Sequence, residues 1–204
     1  MNRGAIILCG GKSTRMGASK AWLRWGDETM LARIVRILAP LGERVVVVAA
    51  EGQTLPELPA EIIVARDRNP DRGPLEGLAA GLRALPTDCD TVYVSGCDTP
   101  LLRADFVERL FSQLAENATD EQDAVAPCDG DFVYPLAGVY RARILPRVEL
   151  LLSEDRLRLT DLLEVVGAHR VDVETLRDVD PQLDSLRNLN RREEYELLLR
   201  RGQS

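Results

Sequence analysis

The feature that most constrains the fold is an alternation of short apolar runs with segments of helical periodicity. The apolar runs are rich in β-branched residues and predict buried strands at Ala5–Cys9, Arg44–Ala49, Ile62–Ala65, Thr91–Ser95 and Ala124–Ala126. Between them, helices are predicted at Met30–Leu41, Leu75–Leu85 and Ala104–Leu114. Strands that alternate with helices form parallel sheets with right-handed crossovers, so we expect an α/β fold with an open, mostly parallel sheet flanked by helices.

The pattern becomes mixed after Pro127. It predicts a strand through Val133–Val139, helices around Ile144–Leu152 and Asp161–Val166, a strand at His169–Val173 and a last helix at Arg191–Arg200. No repeat, low-complexity tract or linker separates this part from the rest. The sequence therefore predicts one domain over residues 1–204, in which residues 128–204 elaborate the part formed by residues 1–127.

Composition excludes several classes of partner and site. A net charge of -7 argues against binding to nucleic acid or to an anionic membrane. Ala5–Cys9 is too short for a signal peptide or a membrane span, and we expect a cytoplasmic protein. The single histidine, His169, is expected to be structural or solvated. Reduced thiols rather than a zinc site are expected, since neither a CxxC spacing nor a nearby histidine accompanies the cysteines, Cys9, Cys89, Cys97 and Cys128.

A glycine-rich loop after the first predicted strand has the composition of an anion-binding site. It holds both lysines of the chain and reads Gly10-Gly11-Lys12-Ser13-Thr14-Arg15-Met16-Gly17-Ala18-Ser19-Lys20. Ile6 stands where a Walker A loop needs glycine, and no GxGxxG spacing is present. Gly10 and Gly11 let the backbone approach a ligand closely. Arg15 and Lys20 are expected to neutralise a phosphate chain, although an ordinary glycine turn with solvated cations would look similar.

A carboxylate, Asp98, follows the predicted strand Thr91–Ser95. Carboxyl ends of parallel strands meet at one edge of a sheet, so Asp98 is expected beside the glycine-rich loop. Carboxylates suit Mg²⁺, which takes few protein ligands and usually shares substrate phosphates. Asp98 is therefore a candidate Mg²⁺ ligand, with capping of the helix near Arg103 as its alternative role.

Two further segments contribute candidates. Gly73 and Pro74 open a predicted helix whose start faces the same edge, and Gly77 on its first turns would leave room for a flat base or ribose. Asp67 either contacts a ligand or pairs with a neighbouring arginine. Near the C-terminus, the carbonyl oxygen of an Asn188 side chain can ligate a hard cation, whereas Asn190 has helix capping as a strong alternative.

Four motifs in this order resemble the molybdenum cofactor guanylyltransferase family, the MobA-type nucleotidyltransferases. They are LCGGKSTRMGASK from Leu8, RGPLEGL from Arg72, CDTPLL from Cys97 and NLNRREE from Asn188. The resemblance implies a Rossmann-like fold of the nucleotide-diphospho-sugar transferase type. It also implies that residues 1–127 bind the nucleotide and residues 128–204 serve the acceptor. The Gly10-Gly11 pair and Gly73-Pro74-Leu75 are more similar to the guanylyl branch than to the cytidylyl branch.

The activity that the resemblance implies is Mg²⁺-dependent transfer of GMP from GTP to the terminal phosphate of molybdopterin or its molybdenum form, with release of pyrophosphate. Molybdoenzymes or cofactor-handling proteins would receive the product. Arg15 and Lys20 would hold the phosphates, Asp98 would bind Mg²⁺ and Asp67 would contact the guanosine. Asn188 and Asn190 would lie near the metal or the acceptor. The nucleotide would be lined by Leu8, Cys9, Gly10 and Gly11, with Gly73, Pro74, Leu75 and Gly77 at the helix start.

Three alternatives remain open at this level. A CTP-dependent molybdopterin cytidylyltransferase and a sugar-1-phosphate nucleotidyltransferase would share the sheet and the loops. A nucleotide-binding chaperone without catalysis is a third alternative, favoured by one departure from the family pattern. The second predicted strand is followed by Ala50-Glu51-Gly52, where such enzymes carry an asparagine that contacts the nucleotide. Two smaller departures are Ser19 in place of an acidic residue and Leu186 in place of an aromatic one.

Overall fold

The fold is organised around one mixed sheet. The structure is a computed structural model that describes residues 2–10, 19–67, 69, 72–116, 122–190 and 192–201. In chain order its strands are β1 (Arg3–Leu8), β2 (Arg24–Trp25), β3 (Glu28–Thr29), β4 (Arg44–Ala50), β5 (Ile63–Asp67), β6 (Thr91–Gly96), β7 (Ala124–Asp129), β8 (Phe132–Val133), β9 (Val139–Arg141) and β10 (His169–Asp172). β2 and β3 form a separate two-stranded hairpin.

The main sheet has the order β10-β7-β9-β6-β1-β4-β5, and β8 pairs with the end of β7. β9 is antiparallel to both of its neighbours, β6 and β7, while the pairs β6–β1, β1–β4, β4–β5 and β7–β10 are parallel. The carboxyl ends of β5, β4, β1, β6 and β7 therefore lie at one edge of the sheet. This is the edge at which open α/β sheets bind their ligands.

Helices cover both faces of the sheet. They are α1 (Met30–Leu38), α2 (Pro74–Ala84), α3 (Ala104–Glu116), α4 (Leu145–Ser153), α5 (Leu159–Val165) and α6 (Arg192–Arg201). Successive strand residues point to opposite faces. Ile6 accordingly joins a buried cluster with α2, α4 and α5, whereas Ile7 joins another with α1 and α3. Apolar residues are needed on both sides of the central strands, which explains their continuous apolar runs.

The structure confirms the first five predicted strands and the three helices between them, with ends that shift by up to three residues. Met30–Leu41 is an α-helix to Leu38 and a 3₁₀ turn over Ala39–Leu41, which contains Pro40. No helix in the described ranges is long and apolar enough to cross a membrane.

The predicted strand Val133–Val139 is wrong. This segment ends β8 at Val133, turns through a 3₁₀ segment at Pro135–Ala137 and enters β9 at Val139. Pro135 has no N–H for a strand ladder, and the N–H of Ala137 donates to the carbonyl of Tyr134 across the turn. The turn lets β9 run antiparallel between β6 and β7.

Candidate active site

Lys20 lies between two polar side chains at the carboxyl edge of the sheet. Its Nζ is 2.7 Å from Asp98 Oδ2 and 2.7 Å from Asn190 Oδ1. The Lys20 and Asp98 side chains are 18% and 17% exposed, so this ion pair is shielded more than an ordinary surface pair. The contacts join the end of the glycine-rich loop, the loop after β6 and the C-terminal motif.

Asp98, in the loop after β6, is bound through its backbone as well as through its side chain. The N–H of Leu189 donates to the Asp98 carbonyl over 2.8 Å, and Leu189 itself is fully buried. This bond fixes the Asn188–Asn190 segment beside the end of β6. The amide oxygen of Asn190 accepts from Lys20, and among the described residues it accepts no helix-capping bond.

Glycine at the end of β6 makes room for the Asp98 carboxylate. A Cβ on Gly96 would lie 2.4 Å from Asp98 Oδ1, closer than two such atoms can approach. Thr99, two residues after Cys97, is buried, and its hydroxyl lies 3.1 Å from that of Ser95. The turn after β6 is thus fixed by internal bonds, while the carboxylate projects towards Lys20.

Gln53 lies three residues beyond the end of β4, close to the segment in which an asparagine was expected. Its Oε1 accepts from the N–H of Ala50 over 3.0 Å, and its Nε2 donates to the carbonyl of Cys9 and to Ser19 Oγ, both over 3.2 Å. One side-chain amide therefore joins the ends of β1 and β4 to the end of the glycine-rich loop. Sequence analysis missed this residue; the available signal was an amide three residues beyond β4, next to an unexpected serine at position 19.

The Cys9 thiol at the end of β1 is neutral. Cys9 and Cys97 follow Leu8 and Gly96, which are paired in the parallel ladder, and both are buried. A hydrogen bond with the Cys97 thiol, burial and the nearby Asp98 charge raise the pKa of Cys9 well above its usual value. A thiol needs a lowered pKa to act as a nucleophile at neutral pH, so Cys9 is suited to lining the site and not to attacking a substrate.

Asp67 is a buried carboxylate at the end of β5. It is 5% exposed, and its Oδ1 accepts from the N–H of Asn69 over 2.8 Å. Burial raises the pKa of Asp67, and the negative charge of Glu76 raises it further, while the Asn69 N–H opposes both. A carboxylate held at such a cost at a sheet edge is typical of a binding site.

The start of α2 lies near Asp67. Gly73 has φ +75°, a left-handed value that favours glycine, and Pro74 occupies the first turn of the helix. Leu75 and Gly77 are buried. A Cβ on Gly77 would lie 3.4 Å from Leu8 Cδ2, so the Cα of Gly77 faces the sheet. The lack of a side chain at this position lets α2 pack closely against β1.

Residues 5–172 match the family model of the MobA-like NTP transferase domain. The chain belongs to this family. A curated relative from Carboxydothermus hydrogenoformans, named probable molybdenum cofactor guanylyltransferase, is 34% identical over 200 residues, which cover 98% of this chain and 96% of the relative. Another, molybdenum cofactor guanylyltransferase of Syntrophotalea carbinolica, is 30% identical over 198 residues, covering 97% of this chain and 91% of that protein.

A solved structure gives the same answer for the fold of this MobA-like chain. Molybdopterin-guanine dinucleotide biosynthesis protein A from Archaeoglobus fulgidus has a TM-score of 0.76 to it at 20% identity, covering 97% of this chain and 95% of that one. The expected Rossmann-like fold of the nucleotide-diphospho-sugar transferase type is thereby confirmed. The family resemblance read from the four motifs is confirmed as well.

The structure brings only some of the predicted site residues of this MobA-like domain into direct contact. Lys20 donates to both Asp98 and Asn190. Gly10 lies beside the end of β4, where an added Cβ would be 3.7 Å from the N–H nitrogen of Ala50. Asn188 is exposed, and within the described ranges its side chain makes no hydrogen bond to this cluster. Asp67 is separated from the cluster by β4 and β1 in the sheet. Gly11 and Arg15 fall outside the described residues.

The oxygen atoms at this edge fit a hard cation. Within the described ranges, no group of three or more His, Cys, Asp or Glu residues could hold a metal ion. Asp98 Oδ2 and Asn190 Oδ1 nevertheless converge on one positive charge, the Lys20 ammonium. Carboxylate and amide oxygens are ligands that Mg²⁺ accepts, and Mg²⁺ takes its other ligands from water and substrate phosphates. The residues therefore fit a Mg²⁺ ion that arrives with a nucleotide.

Proposed function

We propose that this protein transfers GMP from GTP to the terminal phosphate of molybdopterin or its molybdenum form and releases pyrophosphate. The observation that carries the proposal is the convergence of Asp98 and Asn190 on the Lys20 ammonium at the carboxyl edge of the sheet. The names of the two curated relatives support the nucleotide and the acceptor. The raised pKa of buried Asp67 supports a second, base-binding end of the site.

The reaction needs positioning and charge neutralisation more than a protein nucleophile. Nucleotidyl transfer is an in-line displacement at the α-phosphorus, and the acceptor phosphate is already an anion at neutral pH. The neutral thiol of Cys9 agrees with direct attack by the acceptor, because no covalent intermediate on that residue is required.

In the proposed mechanism Lys20 exchanges partners. Its ammonium holds the Asp98 and Asn190 oxygens together, and it lies on a flexible stem at the end of the glycine-rich loop. When the triphosphate binds, Lys20 moves to its phosphates and neutralises charge on the leaving pyrophosphate. Asp98 and Asn190 would hold a Mg²⁺ ion, which would supply further neutralisation of the phosphate charge.

Asp67 is proposed to recognise the base. Asp67 Oδ2 makes no hydrogen bond to any described residue, so it can accept from the N–H groups that guanine presents on one edge. Cytosine offers a smaller set of N–H groups in a different place. Gln53 would position the nucleotide by fixing the Cys9 carbonyl. In this way Gln53 would serve in place of the missing asparagine.

The deciding experiment measures pyrophosphate release from GTP and from CTP with Mg²⁺, with and without molybdopterin. We expect release from GTP only, and only when molybdopterin is present. Faster release with CTP would assign the cytidylyl reaction, and release with a sugar 1-phosphate but not with molybdopterin would assign the sugar-activating class. GTP binding without turnover in the presence of molybdopterin would support the chaperone alternative.

Replacement of Asp98 tests the centre of the mechanism. Asp98→Ala should lower kcat by about 10²-fold or more while the circular dichroism spectrum stays that of the wild type, because the carboxylate serves charge and not packing. Asp105→Ala is the matched control, since Asp105 is an exposed aspartate in the first turn of α3. Unchanged Mg²⁺-dependent turnover in Asp98→Ala would refute the assignment.

A further inference from the structure

The segment 180–190 runs alongside the loop that carries Asp98 and is bonded to it at two points. At one point the N–H of Leu189 donates to the Asp98 carbonyl over 2.8 Å. At the other, the N–H of Arg103 donates to Ser185 Oγ over 3.1 Å. Asp98 and Arg103 lie near the two ends of the loop between β6 and α3, so the loop and the segment are antiparallel. The loop is therefore fixed along its length.

Ser185 is held in turn by a buried carboxylate. Ser185 is fully buried, and its N–H donates to Asp180 Oδ2 over 2.8 Å. The N–H of Asp184 donates to Asp180 Oδ1 over 3.1 Å. Asp180 is 1% exposed and forms no ion pair with any described residue, so backbone N–H groups meet its charge. Burial of a carboxylate is costly without such partners, and the position of Ser185 therefore depends on Asp180.

Arg103 connects this pair to the loop after β6. It immediately precedes α3, and an N–H at the start of a helix has no partner within that helix. The Ser185 hydroxyl provides the missing partner. The Arg103 side chain bonds to the same segment of the chain, since its Nε donates to the Val179 carbonyl over 3.0 Å. The start of α3 and the end of the loop thus move with Ser185.

The turn between Asp180 and Ser185 has an unusual backbone. Leu183 has φ +52°, a left-handed value that bulky residues rarely adopt, and its N–H donates to the Asp180 carbonyl over 2.9 Å. This turn directs the N–H groups of two successive residues at the Asp180 carboxylate. Strained backbone persists where surrounding bonds determine it, and it is frequent at functional sites.

A cation at the site needs its ligands in place more strictly than Lys20 does. Asp98 Oδ2 and Asn190 Oδ1 each lie 2.7 Å from Lys20 Nζ, on a flexible side chain that can follow them. Mg²⁺ instead takes oxygen atoms at about 2.0–2.1 Å in nearly octahedral geometry. Asp98 belongs to the loop and Asn190 to the segment 180–190, so a shift between the two would move one oxygen away from the ion.

We infer that Asp180 and Ser185 are positioning residues for the proposed Mg²⁺ site. They fix the segment 180–190 against the loop after β6 and thereby hold the oxygen atoms of Asp98 and Asn190 at the separation that one ion requires. Both are buried, and they act through the backbone without touching the ion or the nucleotide. The inference rests on the proposed function, in which Mg²⁺ arrives with GTP.

The test is binding of Mn²⁺, a paramagnetic ion with a similar preference for six oxygen ligands, measured by electron paramagnetic resonance. The protein is loaded with a GTP analogue whose α,β-methylene bridge prevents release of pyrophosphate. Ser185→Ala and Asp180→Asn should each raise the Kd for Mn²⁺ by about tenfold, as expected when a group that orients a metal ligand is lost. The double variant should lie within about twofold of the weaker single variant, because both residues belong to one chain of bonds. Wild-type Mn²⁺ affinity in both single variants would overturn the inference.

Thr29→Ala is the matched control for Ser185→Ala. The Thr29 hydroxyl accepts from the N–H of Ala32 over 3.2 Å at the start of α1, so this substitution also removes a hydroxyl acceptor from a helix start. Both variants should lower Tm, and only Ser185→Ala should weaken Mn²⁺ binding. Equal Mn²⁺ affinities in the two variants, whether normal or weakened, would show that Ser185 serves stability alone.

The pyrophosphate assay separates this inference from the proposed function. Ser185→Ala should raise the Mg²⁺ concentration for half-maximal turnover by about tenfold, with kcat at saturating Mg²⁺ within about threefold of the wild type. An unchanged Mg²⁺ requirement would overturn the inference alone. Mn²⁺ binding that depends on Ser185, without turnover of GTP in the presence of molybdopterin, would overturn the proposed function alone. Absence of both Mn²⁺ binding and turnover in the wild type would overturn both.

Discussion

At the scale of single residues, the candidate site contains a polar group whose burial opposes folding. Asp67 is the clearest case, since its carboxylate is buried and lies close enough to Glu76 for the two charges to repel. Burying a charge without a cationic partner opposes folding. Such a group is retained when binding needs it, as expected if Asp67 recognises a base.

Asp67→Asn should therefore stabilise the free protein and weaken the binding of GTP. The folded-state pKa of Asp67 is raised, so the destabilising charge is present above that pKa and is relieved as the pH falls through it. We expect Tm at pH 7 to rise by about 2–4 °C. The side-chain oxygen of asparagine can keep the bond from Asn69 N–H. Calorimetry should show that the difference in Tm between the variant and the wild type becomes smaller as the pH is lowered. A Tm of the variant below that of the wild type at pH 7 would contradict the prediction.

At the scale of elements, α2 is held close to the sheet by two glycines on one helical face. A Cβ on Gly81 would lie 2.6 Å from Ile6 Cγ2 and 3.2 Å from Val48 Cγ2, whereas a Cβ on Gly77 meets Leu8 Cδ2 at 3.4 Å. The helix approaches the sheet more closely at Gly81 than at Gly77. The packing of α2 on the sheet therefore fixes the position of its first turn, with Gly73 and Pro74, relative to the carboxyl edge of the sheet.

The two glycines give a matched pair of alanine variants. Gly81→Ala should destabilise the protein by about 1–3 kcal/mol, because the branched Ile6 side chain cannot move out of the sheet. Gly77→Ala should be neutral or stabilising by up to about 1 kcal/mol, the gain in helix propensity. Urea unfolding measures both free energies. Equal effects of the two substitutions would show that the close approach of α2 at Gly81 does not matter.

Elements were predictable where residue type and burial agreed. β4 contains four consecutive valines, and such a run is typical of a strand that is buried on both faces of a sheet. The segment from Val133 to Val139 misled for the same reason: apolar residues filled it, but Pro135 broke the ladder. Lys20 and Asp98 were both candidates on sequence grounds, and the structure places their side chains 2.7 Å apart. The contact of Lys20 with Asn190 could not be predicted, because it depends on strand order and on a segment 170 residues away.

At the scale of the whole molecule, the two edges of the sheet have different tasks. The carboxyl edge holds the site, and the amino edge holds a charged cluster around Asp123, which immediately precedes β7. Asp123 is 1% exposed, and its carboxylate accepts from Arg143 Nε over 2.6 Å and from Arg147. Arg141 Nε lies 3.8 Å away. The cluster joins β7, β9 and α4 at the edge remote from the chemistry.

Asp123→Ala should consequently lower stability without altering the reaction. The substitution removes a buried carboxylate that Arg143 and Arg147 share, and since both arginines are partly exposed we expect a loss of about 2–3 kcal/mol. The corresponding fall in Tm is about 5–10 °C. KM for GTP, measured well below that Tm, should equal the wild-type value. A change in KM would mean that the two edges are coupled.

The bond between Lys20 and Asn190 also sets the order in which the protein becomes competent during its synthesis. The strands that frame the site, β1, β4 and β6, are complete once Gly96 has been made, and sheet pairing among them can begin. Asn190, however, lies 170 residues beyond Lys20. A nascent chain therefore carries four strands of the main sheet, β1, β4, β5 and β6, long before it can close its site. It acquires the contact with Asn190 only when its C-terminal segment has emerged from the ribosome.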